Sequence, residues 1–249
     1  MRLDVFLAPS ELTPAALEGR VVAVVDVLRA TTTIAAALHA GARTVIPFVE
    51  TEDAVRTARQ YERGEVTLAG ERHMVAIPGF ALGNSPLEFT PATVGNRTVL
   101  LTTTNGTRAF AAVEDAKAVY AASYANFALT FELLRGALAH GTSAAIVCAA
   151  SEGVMALEDA ACAGRFVLGL RAAVPDLSVN DGAVLCALLA ARYGDDIAAG
   201  FAASEHGNAL QVAGFQADLD VCAMLDVYPV VAEYRERALR VASPGALGA

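Results

Sequence analysis

The run Val21-Val22-Ala23-Val24-Val25-Asp26-Val27-Leu28 constrains this chain more than any other part of it. It lacks the polar–apolar alternation of a half-exposed strand, so residues 21–27 read as a strand covered on both faces. Such a strand needs helices on each side, which points to an α/β layered fold. Asp26 stands at its C-terminal end, the edge at which ligands bind in open α/β sheets. Arg29 follows, then Thr31, Thr32 and Thr33 near the start of a helix predicted over 32–40 that stops at Gly41. Unbonded N–H groups at a helix start favour an anion. A carboxylate, a guanidinium and hydroxyls at one turn suit a phosphate with a hard metal ion beside it. The plainer reading is an Asp that caps the helix and threonines that fill its first turn.

The remaining chain alternates strand and helix. Strands are expected at 2–8, 43–49, 66–69, 98–103, 117–122 and 144–149, and helices at 52–61, 107–113, 127–139, 158–170 and 184–193. Short helices are expected at 195–203 and 205–212. Residues 218–225 are ambiguous between helix and strand, and 241–249 read as a frayed tail. Residues 73–97, with Pro78, Gly79, Gly83 and Pro86, read as a structured loop, and a loop of that length in a compact domain is usually functional. Thr33-Ile34-Ala35-Ala36 lines up with Thr107-Arg108-Ala109-Phe110, and Ala42-Arg43-Thr44-Val45 with Ala116-Lys117-Ala118-Val119. The element order repeats as well, so an internal duplication of a strand–helix–strand unit is expected. Its halves span about 20–97 and 98–175, within a single unit over 1–240 that ends in a helical part.

Composition narrows the partners. The chain is 55% hydrophobic, with a mean hydropathy of +0.46, but no apolar run reaches the roughly 20 residues of a membrane span. A large core or a buried subunit interface accounts for that content, and a homodimer is compatible with it. No signal peptide is read at the N-terminus, so a cytoplasmic location is expected. Net charge is −9 with no basic block, which argues against nucleic acid. Cys148, Cys162, Cys186 and Cys222 are widely spaced, as expected of reduced thiols.

Polar clusters recur at predicted strand ends: Asp26 with Arg29 and Thr31–Thr33, Glu71 with Arg72, Thr102–Thr104 with Asn105, and Ser151 with Glu152. Strands sharing one direction would bring them to one edge. The chain has no Walker A sequence, no G-x-G-x-x-G before a helix, no G-x-S-x-G, and no histidine pair at metal-ligand spacing. Hard oxygen donors are plentiful instead: Asp26, Glu71, Glu158, Asp159, Asp218 and Asp220. Mg²⁺ takes one or two carboxylates with waters and substrate phosphate.

Taken together, these segments resemble the 2-phosphosulfolactate phosphatase family. The matching pieces are Asp26-Val27-Leu28-Arg29-Ala30-Thr31-Thr32-Thr33, Gly70-Glu71-Arg72, Gly79-Phe80-Ala81-Leu82-Gly83-Asn84-Ser85-Pro86 and Thr102-Thr103-Thr104-Asn105-Gly106-Thr107. Leu157-Glu158-Asp159 with Ala163-Gly164, Ser204-Glu205-His206-Gly207, Gly214-Phe215-Gln216-Ala217-Asp218-Leu219 and Cys222-Ala223 complete an ordered set over about 20–225. The resemblance implies an α/β fold with a duplicated, intertwined core. It also implies a Mg²⁺-dependent phosphatase that hydrolyses 2-phospho-3-sulfolactate, a step toward coenzyme M, or a related phosphorylated 2-hydroxy acid. Three places depart from the family pattern. Ala81 stands where the family loop has Asp, His73 and Met74 replace glycines after the Glu-Arg pair, and Ala149-Ala150-Ser151-Glu152 replaces a Gly-rich turn.

On this reading Asp26 and one or more of Glu71, Glu158 and Asp159 hold Mg²⁺. Arg29 and Arg72 meet the phosphate and the carboxylate or sulfonate. Thr31, Thr32, Thr33, Thr104, Asn105, Gly106 and Thr107, with Asn84 and Ser85, complete the cradle. His206 is a candidate general acid or substrate ligand. The nucleophile is Asp26 or a Mg²⁺-bound water, with Cys148 a candidate set against the alternative of a buried strand cysteine. Ala81 favours a rival reading, a homologue that binds a phosphorylated acid without cleaving it.

Overall fold

The computed structural model describes residues 1–13 and 15–242. In chain order the elements are β1 (Arg2–Phe6), β2 (Val21–Val25), α1 (Ala30–His39), β3 (Thr44–Pro47), α2 (Thr51–Ala58), β4 (Val66–Arg72), β5 (Val75–Ala76), α3 (Pro91–Val94), β6 (Thr98–Thr102), α4 (Gly106–Ala112) and β7 (Ala118–Ala122). Then follow α5 (Phe127–Ala139), β8 (Ala144–Cys148), α6 (Leu157–Ala173), β9 (Ser178–Val179), α7 (Asp181–Tyr193), α8 (Ile197–Ala203), α9 (Glu205–Val212), α10 (Gln216–Cys222), β10 (Ala232–Arg235) and β11 (Ala238–Val241). The α/β layered fold expected from the sequence is what forms. Among the described residues no helix is long and apolar enough to cross a membrane.

All strands join one sheet in the order β5-β4-β6-β3-β11-β10-β7-β2-β8-β1-β9. Two parallel blocks, β4-β6-β3 and β7-β2-β8-β1-β9, flank the hairpin β10–β11. The order of pairing is reciprocal. β2 lies between β7 and β8, and β6 lies between β3 and β4, so each half of the chain lends its first strand to the other half.

The strands do not share one direction. Three antiparallel contacts in series, β3 with β11, β11 with β10 and β10 with β7, reverse one block against the other. The C-terminal ends of β6 and β2 nevertheless come together. The turns after these strands do meet: the Glu152 N–H donates to Asn105 Oδ1 at 3.1 Å, and Gly106 lies against Ala30 and Asp26.

Every residue of β2 is buried, as a strand covered on both faces requires. Val21, Ala23 and Val25 face a core shared with α5, α6 and α7, while Val22 and Val24 face one built by α1, α4 and the β3-β6 block. Gly164 on α6 allows α7 its close approach, since a Cβ there would lie 1.8 Å from the Cys186 carbonyl oxygen. The four cysteines are free and buried.

Several expectations are corrected. Of residues 218–225, 218–222 belong to helix α10, which starts at Gln216, and 223–225 form the turn that ends it. The 73–97 loop holds β5, a 3₁₀ turn at Pro86–Glu88 and α3. The hairpin β10–β11 was not foreseen, and Val241 closes its second strand; the rest of the expected tail, 243–249, lies outside the described residues. Its two-residue turn, Glu236-Arg237, has φ of 53° and 60° but lacks the Asn-Gly signal that usually marks such a turn.

Candidate active site

Asp26 follows the last residue of β2 and is itself buried. One carboxylate oxygen accepts from the Ala30 N–H at 3.0 Å, and its backbone carbonyl accepts from the Thr31 N–H at 2.9 Å and the Thr31 hydroxyl at 2.7 Å. The side chain therefore closes the first turn of α1 while staying at the sheet edge. Thr32 donates its hydroxyl to the Val27 carbonyl and Thr33 donates to that of Asn84. All three threonines are buried. This corrects the cradle expectation for Thr31, Thr32 and Thr33: their hydroxyls lock the turn, and the N–H groups of Ala30, Thr31 and Thr33 are already taken by Asp26 and Arg29. The plainer of the two sequence readings holds for the threonines.

Arg29 precedes α1 with its guanidinium only 3% exposed. Asp218 on α10 accepts from it at 2.5 Å, and the Phe215 ring lies 4.1 Å from it, centroid to Cζ. The second Asp218 oxygen accepts from the Ser85 hydroxyl at 2.6 Å. Ser85 thus holds the holder of Arg29 and does not line the cavity.

The turn after β6 forms the opposite wall. Thr107 donates its hydroxyl to the Thr103 carbonyl, the same lock that Thr31 makes with Asp26. Gly106 permits the approach of the two turns: a Cβ there would lie 2.5 Å from that of Ala30 and 2.8 Å from Asp26 Oδ2. Glu71, at the end of β4, accepts from the Thr104 N–H at 2.8 Å, the Met74 N–H at 2.8 Å and the Thr104 hydroxyl at 3.2 Å. Its carboxylate is occupied in tying two loops together. Arg72 turns away, donating to the carbonyls of Val49 and Glu71.

Between these turns lies a cavity of about 110 Å³, lined by Asp26, Leu28, Arg29, Glu71, His73, Met74, Asn84, Thr103, Thr104, Asn105, Ser151, Glu152 and His206. The polar clusters at strand ends therefore converge. Of the expected site residues, Asp26, Arg29, Glu71, Asn84, Thr104, Asn105 and His206 reach the cavity; Thr31, Thr32, Thr33, Arg72, Ser85, Gly106, Thr107, Glu158 and Asp159 do not line it. Leu28 lines it with no sequence signal as a site residue, and Thr103 falls within the polar cluster Thr102–Thr104. His73 and Met74 stand out in the sequence as departures from the family pattern, and Ser151 and Glu152 as such a departure and as a polar pair after a strand. Ala81 is exposed and outside the cavity, so the missing acid of that loop removes nothing from its walls.

Acids crowd beneath the floor, behind Asp26. Burial lifts the Asp26 carboxyl to about 6, opposed by the Ala30 N–H and by His206 and reinforced by Glu71 and Glu158. Burial, then the charges of Asp26 and Glu158, pushes Asp159 well above the carboxylate range. Asp159 also accepts from the Val27 N–H at 2.9 Å, which fixes the backbone just after Asp26. Glu158 Oε2 is buried without a hydrogen-bond partner among the described residues. An orphaned carboxylate oxygen beside two acids whose charge is suppressed fits a hard cation. Among the described residues no three Asp, Glu, His or Cys side chains form a ready cage. That donor set suits an ion that keeps most of its waters, as Mg²⁺ does.

His206, at the start of α9, places Nε2 2.9 Å from the Leu28 carbonyl. A carbonyl only accepts, so Nε2 carries the proton, and Nδ1 is the nitrogen left to accept one. Cys148 is buried at the end of β8, and burial with the nearby Asp159 pushes its thiol well up. It stays protonated, which fits the buried strand cysteine and not a nucleophile.

An α/β scaffold with a small enclosed cavity, a buried acid of raised pKa and a firmly held guanidinium defines an enzyme site for a small anion. The family described as 2-phosphosulpholactate phosphatase matches residues 6–237, and the chain belongs to that family. It is 41% identical over 221 residues to a protein of Symbiobacterium thermophilum, covering 88% of this chain and 93% of the relative. It is 38% identical over 234 residues to one of Synechococcus sp. strain JA-3-3Ab, covering 93% and 95%. A protein of Caldicellulosiruptor saccharolyticus is 35% identical over 237 residues, covering 94% and 97%. Each of the three bears the name probable 2-phosphosulfolactate phosphatase.

Proposed function

We propose that this protein hydrolyses the phosphate monoester of a small 2-hydroxy acid, 2-phospho-3-sulfolactate foremost, in the presence of Mg²⁺. The observation that carries the reading is that the buried Asp26 and the buried Arg29 line one small cavity. Family membership supports the phosphatase chemistry, and the names of the relatives support the substrate.

Phosphoryl transfer asks mainly for positioning and charge stabilisation. Arg29 supplies a fixed positive fork for phosphate oxygens, held by Asp218 and Phe215 so that little ordering remains to be done on binding. Thr103, Thr104, Asn105 and Asn84 supply neutral polar groups around it. Asp26 and Glu158 are the side chains that would hold Mg²⁺, which neutralises phosphate charge when bound. Asp26 is also the side chain placed to attack phosphorus should the reaction pass through an aspartyl-phosphate. His206, which lines the cavity and has its Nε2 engaged by Leu28, would take or return a proton through Nδ1.

The test is phosphate release from 2-phosphosulfolactate and from phospholactate, with Mg²⁺ and with EDTA. Metal-dependent release supports the reading, and the ratio of the two rates ranks the substrates. Saturable binding without release, by folded protein in excess Mg²⁺, would select the non-catalytic alternative.

A further inference from the structure

Two turns at the mouth of the cavity carry side chains where backbone geometry favours none. The β4–β5 turn runs through His73 and Met74 at φ 50° and 67°, and the turn after β8 runs through Ala150 and Glu152 at φ 65° and 50°. Glycine adopts such angles freely, whereas other L-residues do so at a cost. Across the mouth, His73 Nδ1 and Glu152 Oε1 stand 3.7 Å apart, and both side chains are more than 70% exposed. The backbones beneath them are fixed on the opposite wall: the His73 N–H points to the Thr104 hydroxyl at 3.4 Å and the Glu152 N–H donates to Asn105 at 3.1 Å. Both residues line the cavity.

A substrate of the class proposed above carries a second acidic group beside its phosphate. Among the cavity-lining side chains only Arg29, His73 and His206 can bear positive charge. Arg29 is committed to the buried floor and the His206 Nε2 proton to Leu28. His73 alone faces a carboxylate at the open end, and Glu152 marks where a second carboxylate or a sulfonate would sit against it. We propose that His73 is a specificity-determining residue. Its imidazole exchanges Glu152 for the acidic arm, carboxylate or sulfonate, of a phosphorylated 2-hydroxy acid whose phosphate lies at Asp26 and Arg29. The proposal rests on the phosphatase reading and adds the side chain that selects a doubly acidic substrate.

The experiment compares wild type with His73→Ala, His73→Gly, His73→Lys and Glu152→Gln, using Mg²⁺ and 2-phosphosulfolactate, alongside calorimetric binding of sulfolactate. His73→Ala and His73→Gly raise KM about tenfold with kcat within about twofold, the signature of a lost ground-state contact. His73→Lys, which places a cation at the same point, restores KM. Glu152→Gln, which removes the competing anion, lowers KM about twofold to threefold. Sulfolactate binds His73→Ala about tenfold more weakly than wild type. An active wild type whose KM ignores His73, or a loss that His73→Gly recovers, overturns the proposal while leaving the phosphatase reading intact. Sulfolactate binding that depends on His73 without any phosphate release leaves this proposal standing and removes that reading. A wild type that neither binds nor hydrolyses removes both.

Discussion

The turn from β2 into α1 and the turn from β6 into α4 face each other across the cavity and are built alike. In each, a threonine hydroxyl in the first helical turn donates back to a carbonyl at the strand end, Thr31 to Asp26 and Thr107 to Thr103. In each, the following helix packs into the same core. Their chemistry is opposite. The first turn carries Asp26 and Arg29, and the second carries Thr103, Thr104, Asn105 and Gly106. The scaffold is thus repeated and the ionisable groups are not. One turn supplies charge, and the other supplies neutral hydrogen-bonding groups and, at Gly106, the room for the charged turn to approach.

The sharpest break of that asymmetry is Asp26→Asn, which takes the carboxylate out of the charged turn and leaves Arg29 in place. Turnover with Mg²⁺ falls by about a thousandfold or more in a phosphate-release assay. Near-wild-type turnover would take Asp26 out of both roles proposed for it. Next in size is Asp218→Ala, which leaves the buried Arg29 without its partner. Denaturant titration then shows a loss of about 3–5 kcal/mol, with KM raised as the guanidinium loses its fixed position.

The charged turn also sets a pH dependence that the neutral turn cannot. The Asp26 carboxyl moves from 3.8 to about 6 on folding, so between those values the folded protein keeps a proton that the unfolded chain has lost. Metal-free stability therefore falls as pH rises through that window, by about 3 kcal/mol from Asp26 alone, and Asp159, raised further, extends the fall upward. Denaturant titrations in EDTA from pH 4 to 8 check this slope. Asp26→Asn flattens the Asp26 part of it and so is more stable than wild type at pH 8 while being inactive. A rise of stability over the same interval would refute the assignment. The smallest effect tests how far the likeness of the turns goes: Thr107→Val costs about 1 kcal/mol in a denaturant titration, and Thr31→Val about 2 kcal/mol, as the Thr31 hydroxyl also accepts from the Asp26 N–H while that of Thr107 makes the one bond to Thr103.

The features that local pattern encodes were legible in the sequence. The buried strand at Val21–Val25, the acid at its end and the polar clusters after the other strands all rest on short-range signals. The roles of individual side chains within those clusters were less legible, because distant partners decide them. Thr33 is claimed by the Asn84 carbonyl, Glu71 by Thr104 and Met74, and Ser85 by Asp218. Nothing near Asp218 in the chain announces that it holds Arg29. In the sequence His73 and Glu152 stand out as departures from the family pattern, and Glu152 also as part of a polar pair after a strand; their positive φ values and shared cavity are properties of the fold alone. The reversed strand block was also hidden, since it depends on the β10–β11 hairpin, whose turn lacks the usual residues.

The reciprocal placement of β2 and β6 has a consequence for how the chain comes off the ribosome. β3 and β4 emerge with the slot between them unfilled, and they wait for β6; β2 waits longer, for β7 and β8. No N-terminal portion ending before β6 can complete a sheet, so the first half cannot fold and bank its stability while the second is made. The cavity, whose walls come one from each half, arises only when both strands are seated. Assembly of the site and completion of the fold are then a single cooperative event, with pairings distant in sequence setting its pace.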